Sequence, residues 1–190
     1  MKPILRNSLL TACATALFVF TTVNVQAQLE VDDSATPEEL AASLVGEGVT
    51  LSGVTMDCPS GAYGFFECVD CNVGIGNGIL LTSGSVDNAV GPNNSSGAST
   101  SNFAPGDADL DGIPGVLGTN DACVLEFDLT VTSDTIRFNY SFGSEEYLEY
   151  VGSFNDVFAF YISGPGIVGT ENLALIPGTE TIVSINNVND

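Results

Sequence analysis

The sequence predicts an all-β protein, a β-sandwich of jelly-roll type with one short N-terminal helix. Three observations predict it. Short runs of alternating apolar and polar residues recur along the chain, glycine-rich turns separate them, and one stretch alone carries the start and stop signals of a helix. With 190 residues and 44% hydrophobic content, the chain is long enough for one domain with its own core.

The opening "MKPILRNSLLTACATALFVFTTVNVQAQ" reads as a secretory signal peptide over residues 1–27. It has a basic start, an apolar run from Leu9 to Phe20, and small residues before the expected cleavage after Ala27. The run is short of the roughly 20 residues a bilayer requires, so no membrane span is expected in the mature chain. "LTAC" at Leu10–Cys13 resembles a lipidation box. However, few apolar residues precede it, and the greasy "ATALFVF" follows where a tether would be polar. The expected location is secreted or cell surface.

"TPEELAASLVGEG" is the helix. Thr36 is its N-cap, Pro37 its first residue and Glu39 the third, with Gly46 expected to close it. "VTLSGV" and "GILLTSG" follow as short strands. "CVLEFDLTV" alternates, with Cys123, Leu125, Phe127, Leu129 and Val131 on one face. "TIRFNYSF" places Ile136, Phe138, Tyr140 and Phe142 inward in the same way. The short "TSD" link predicts an antiparallel hairpin of these two strands, with Asp128 opposite Arg137. "DVFAFYIS" is apolar on both faces, as a covered central strand should be. "NLALI" and "TIVSI" complete the set. Asn88–Gly115 is rich in Gly, Asn, Ser and Asp, and a loop this long is functional or disordered.

Four cysteines remain after the leader: Cys58, Cys68, Cys71 and Cys123. An even number in an exported chain predicts two disulfides, at least one of them within Cys58–Cys71. Zinc and redox readings of "CVDC" are weaker. No His supplements the thiols, and the surroundings read as loop rather than the start of a helix.

Charge is the unusual feature. There are 24 Asp and Glu against 3 Lys and Arg, a net charge of −21. Lys2 and Arg6 lie in the leader, so Arg137 is the only side-chain cation of the mature chain. Such a chain repels nucleic acid and anionic membranes and suits divalent cations.

Taken in order, "GNGILLTSGSV", "GPNNSSG", "TNDACVLEFDL", "FGSEEYLEYVGSFNDVFAFYISGPG" and "NLALIPGTETIVSINNVN" resemble the choice-of-anchor L domain, a secreted bacterial module. With "TPEELAASLVGEGVTLSGV", the resemblance covers about residues 36–190, and the domain is expected over 28–190. It implies an extracellular β-sandwich without an established enzymatic activity. The four cysteines lie outside the family's pattern. The resemblance also carries an expectation of further strands after Asp190, so that this copy of the domain is incomplete.

The absence of His removes the usual general base and nucleophile pairs. A glycosidase needs only two carboxylates. Glu145, Glu146 or Glu149 with Asp156 would be the candidates, but the adjacent Glu145 and Glu146 of an extended segment face opposite ways, and no Trp offers a sugar platform, a part left to Tyr147, Tyr150 and Tyr161. Calcium is the better chemical reading. "DADLDG" sets Asp107, Asp109 and Asp111 at alternate positions before Gly112, as in the first half of an EF-hand. The twelfth position is Gly118, so the second half is missing. Two readings therefore stand side by side: a calcium loop completed by Asp121, and a solvated acidic turn. A further expectation follows from the hairpin. Its two ends would bring Asp121 near Glu145, Glu146 and Asp156 and so close a calcium site.

The expected function is a non-catalytic, calcium-stabilised extracellular module for adhesion or surface architecture. Its partner would be an extracellular protein or glycan. The alternative is a carbohydrate-binding module, with a carboxylate glycosidase third.

Overall fold

The computed structural model describes residues 28–189. The expected leader and its expected cleavage site lie outside them. Strand β1, Gln28–Asp32, opens the described chain. Helix α1, Pro37–Ser43, follows, capped as its sequence requires. Thr36 Oγ1 accepts from the Glu39 N–H at 3.3 Å, and Glu39 Oε2 accepts from the Thr36 N–H at 2.9 Å. Such a cap contributes about 1 kcal/mol. The helix ends earlier than expected, because the Leu44 N–H turns back to the Ala41 carbonyl before Gly46 is reached.

Strands β2 (Val49–Asp57), β3 (Tyr63–Val69) and β4 (Asn77–Leu81) come next, then β5 (Val124–Val131). β1, β3 and β4 form one antiparallel sheet in that order, while β2 and β5 form a second. β6 (Tyr161–Ile162) and β7 (Glu171–Asn172) pair in a third. The protein is all-β with a little helix, as the sequence predicts. Helix α1 packs on β2, β4 and β5, burying Leu40 and Ala41 completely.

The predicted hairpin is corrected. β5 pairs with β2, not with Thr135–Phe142, and Asp128 lies opposite Ser52 rather than Arg137. A β-bulge between Ser52 and Thr55 interrupts this ladder. Gly53 sits there at φ 62°, a left-handed backbone that favours glycine. Just beyond the last pair, Asp57 with Val124, a disulfide joins Cys58 to Cys123. The other bridge, Cys68–Cys71, closes the turn after β3. With both bridges formed, no thiol among the four remains for zinc.

Thr135–Phe142 forms no strand, yet its alternation is realised as packing. Phe138 meets Phe160 edge-on at 4.6 Å, and Tyr140 meets Phe158 at 5.3 Å. The two segments therefore run antiparallel through their rings rather than through a ladder. "DVFAFYIS" is half-covered on both faces, but only Tyr161–Ile162 of it is regular strand. Val157 bridges Ser184, and Leu175 bridges Ile182, which ties "NLALI" and "TIVSI" to it. Ala174, Val183 and Ile185 are buried beneath these contacts.

The long segment 88–115 is structured in part. Helix α2, Val86–Val90, leads into it, and α3, Ala108–Asp111, lies near its end. The Asn102 amide donates to the carbonyls of Ser83 and Gly84 at 3.1 and 2.9 Å, pinning the segment behind β4. No described helix is long and apolar enough to cross a membrane.

Candidate functional site

The carboxylates expected to bind a cation divide into two sets with different tasks. Asp107, Asp109, Asp111 and Asp121 build the loop. Asp107 is the N-cap of α3, its Oδ1 accepting from the N–H groups of Asp109 and Leu110 at 2.9 and 3.0 Å. Asp111 Oδ1 accepts from the Thr119 N–H at 2.6 Å and its hydroxyl at 2.8 Å. The N–H bond and then the hydroxyl hold the Asp111 carboxyl below the usual range. The "DADLDG" run is therefore a helical turn, not the extended start of a calcium loop. Among the described residues, Asp107, Asp109 and Asp111 are not grouped so as to hold a metal ion.

Asp121 is nearly buried, at 9% exposure, and holds the other flank. Its Oδ1 accepts from the Ala104 N–H at 2.6 Å, and Oδ2 accepts from the Asn102 N–H at 3.0 Å and the Ser101 hydroxyl at 3.4 Å. Two backbone N–H groups and a hydroxyl thus hold both of its oxygens. Tyr161 completes the unit, donating to the Asp109 carbonyl at 3.1 Å and so tying β6 to α3. Burial, then the charges of Asp109 and Asp107, push its hydroxyl pKa up.

Glu146 and Asp156 come together, as expected. The Ser144 hydroxyl lies 2.9 Å from Glu146 Oε2 and 2.7 Å from Asp156 Oδ2. One hydroxyl proton cannot serve both oxygens at once, and the two carboxyls also hydrogen-bond directly. That bond, then burial, then the Asp156 charge raise Glu146 to about 7, against a smaller pull downward from Ser144. Glu146 is thus the carboxyl pushed toward its protonated form, as expected of an acid held against a like charge.

Glu145 does not join this pair in a three-carboxylate site, and the expected meeting of Asp121 with Glu145, Glu146 and Asp156 is corrected. Among the described residues, no three Cys, Asp or Glu side chains are grouped to hold a metal ion. The hairpin whose ends would have gathered them does not form. Burial raises the pKa of Glu145, and its buried Oε2 has no hydrogen-bond partner.

The sequence reading missed a cleft beside this cluster. Asn93, Asn94, Ser95 and Ser96 line one wall, and Tyr147, Leu148 and Glu149 line the other, around a volume of about 600 Å³. Asn93 Nδ2 donates to the Glu145 carbonyl at 3.3 Å and joins the walls. Asn88 Nδ2 donates to Thr100 Oγ1 at 3.2 Å and closes the base of the 93–96 loop. "NNSS" was visible in the sequence as a polar run. Its partner, 52 residues away at Glu145, was not.

The family model of the choice-of-anchor L domain matches residues 27–190. No curated protein and no solved structure matches the chain significantly.

Proposed function

The chain belongs to the choice-of-anchor L domain family of surface-associated modules, and we propose that it serves outside the cell as a non-catalytic module for adhesion or surface architecture. The match over nearly the whole chain carries this reading. The leader at residues 1–27 and the two disulfides support an exported protein.

The Glu146–Asp156 contact argues against a glycosidase. Paired catalytic carboxyls stand about 5 Å or more apart, with the sugar between them. These two lie against one Ser144 hydroxyl, at 2.9 and 2.7 Å, closer together than an acid and a nucleophile that hold a sugar between them. The same contact supports calcium binding. A calcium ion would take the place of the Glu146 proton, held by Glu146 and Asp156 with carbonyl and water oxygens completing its shell.

Beads coated with the exported, disulfide-bonded protein should be retained on the extracellular matrix of a bacterial biofilm. Beads carrying reduced, unfolded protein should wash off. Equal retention of the two would sink the adhesion reading. Hydrolysis of aryl glycosides that disappears in Glu146→Gln would restore the enzyme.

A further inference from the structure

We propose that the cleft between Asn93–Ser96 and Tyr147–Glu149 binds a neutral polysaccharide. This deepens the surface-module reading and rests on it for the protein's place outside the cell.

The lining residues select the class of ligand. Asn93 and Asn94 each offer a carbonyl acceptor and an NH₂ donor, and Ser95 and Ser96 offer hydroxyls that do both. Sugar hydroxyls donate and accept in the same way, so a row of amides and hydroxyls matches a row of vicinal diols. The opposite wall supplies apolar surface. Tyr147 is 37% exposed and Leu148 61% exposed, enough for a ring and an aliphatic edge to cover the C–H face of a pyranose.

Charge decides between glycans. Glu149 stands in the cleft, and Arg137 is the only cation among the described residues. Uronic acids, sialic acids and phosphate-bearing ligands would meet repulsion with no compensating base. A protein partner fits less well. The centre of a protein interface is a buried apolar anchor, whereas one whole wall here is small and polar.

The loop is also held in place. Asn93 is bound to the Glu145 carbonyl, and Ser95 Oγ accepts from the Gly97 N–H at 3.2 Å. Asn94 and Ser96 alternate with these bracing residues and are the ones placed to read a ligand. A braced loop binds without first losing freedom, which lowers the cost of recognition.

Affinity electrophoresis of the exported protein through gels containing xylan, galactomannan, mixed-linkage β-glucan, alginate or polygalacturonate tests this. At least one neutral polymer should retard the protein, and the two polyanions should not. Asn94→Ala with Ser96→Ala should weaken retardation about tenfold, the loss of two hydrogen-bonding groups. Tyr147→Phe should keep it and Tyr147→Ala should lose it, with melting temperatures checked in parallel. Retardation unchanged in Asn94→Ala/Ser96→Ala would place binding elsewhere. Equal retardation by alginate would overturn the neutral class. Biofilm retention without retardation by any neutral polymer would overturn the cleft while leaving the adhesion reading intact. Loss of both would remove the two together.

Discussion

Glu146 and Asp156 hydrogen-bond to each other across the 147–155 segment, with the Ser144 hydroxyl within 3 Å of both. Two acids in contact make the segment they close sensitive to whatever occupies the space between them, a proton or a cation.

The first consequence is a dependence on pH. The folded-state pKa of Glu146, about 7, lies above the 4.5 of an ordinary glutamate, so the folded form holds a proton that the unfolded form has released. This contribution is fully present below about pH 4.5 and is lost as pH rises to about 7. Discounted for the solvent reaching the pair, it is about 1 kcal/mol. Glu146→Gln keeps a donor toward Asp156 at every pH. The melting-temperature difference between Glu146→Gln and wild type should therefore grow from pH 5 to pH 8. A constant difference would show that Glu146 holds no such proton.

Calcium should reverse that loss. At pH 8, millimolar calcium should raise the melting temperature more than sodium of equal ionic strength. A ligand present at a hundredfold excess over its dissociation constant stabilises by about 2.7 kcal/mol. The gain should shrink at pH 5, where a proton competes for the pair, and should vanish in Glu146→Gln/Asp156→Asn. Identical melts in calcium and in chelator would leave the pair as a proton clamp alone.

The two disulfides should differ in weight. Cys58–Cys123 closes a separation of 65 residues and Cys68–Cys71 one of 3. Chain entropy assigns about 4 kcal/mol to the first and about 2 kcal/mol to the second. Urea midpoints of Cys58→Ser/Cys123→Ser and Cys68→Ser/Cys71→Ser should fall in that order. The reverse order would mean that the β2–β5 ladder does not depend on its bridge.

Asp121 should behave as a structural residue. Asp121→Ala leaves the Asn102 and Ala104 N–H groups without their acceptor, and places alanine at a φ of 53°. Orphaned donors cost about 1–3 kcal/mol each. Asp121→Asn keeps one acceptor and tolerates the backbone, so it should cost less. Calcium should change neither difference. If added calcium restored Asp121→Asn alone, Asp121 would be a ligand after all.

Much of this chain is legible from its residues because the physics is local. Thr36, Pro37 and Glu39 dictate the start of α1 whatever surrounds them, since a capping box is completed within one turn. The alternation of Leu125–Val131 sorts covered from exposed side chains, because strand geometry sends neighbours to opposite faces. In Ile136–Phe142, which is not a strand, Ile136, Phe138 and Phe142 are covered as expected but Tyr140 is 42% exposed. Even cysteine number and the motif around "FGSEEY" announced the bridges and the family. Alternation says which face is apolar, however, and not which strand lies alongside. Only the fold decided that β5 pairs with β2 and bonds Cys123 to Cys58, and that Phe138 meets Phe160 through rings alone. The fold likewise separated the acids. Asp107, Asp111 and Asp121 answer unpaired N–H groups, which no composition reveals, while Glu146 and Asp156 answer each other. A carboxylate's role depends on the donor that reaches it first, and in a chain with almost no cations that donor is the backbone.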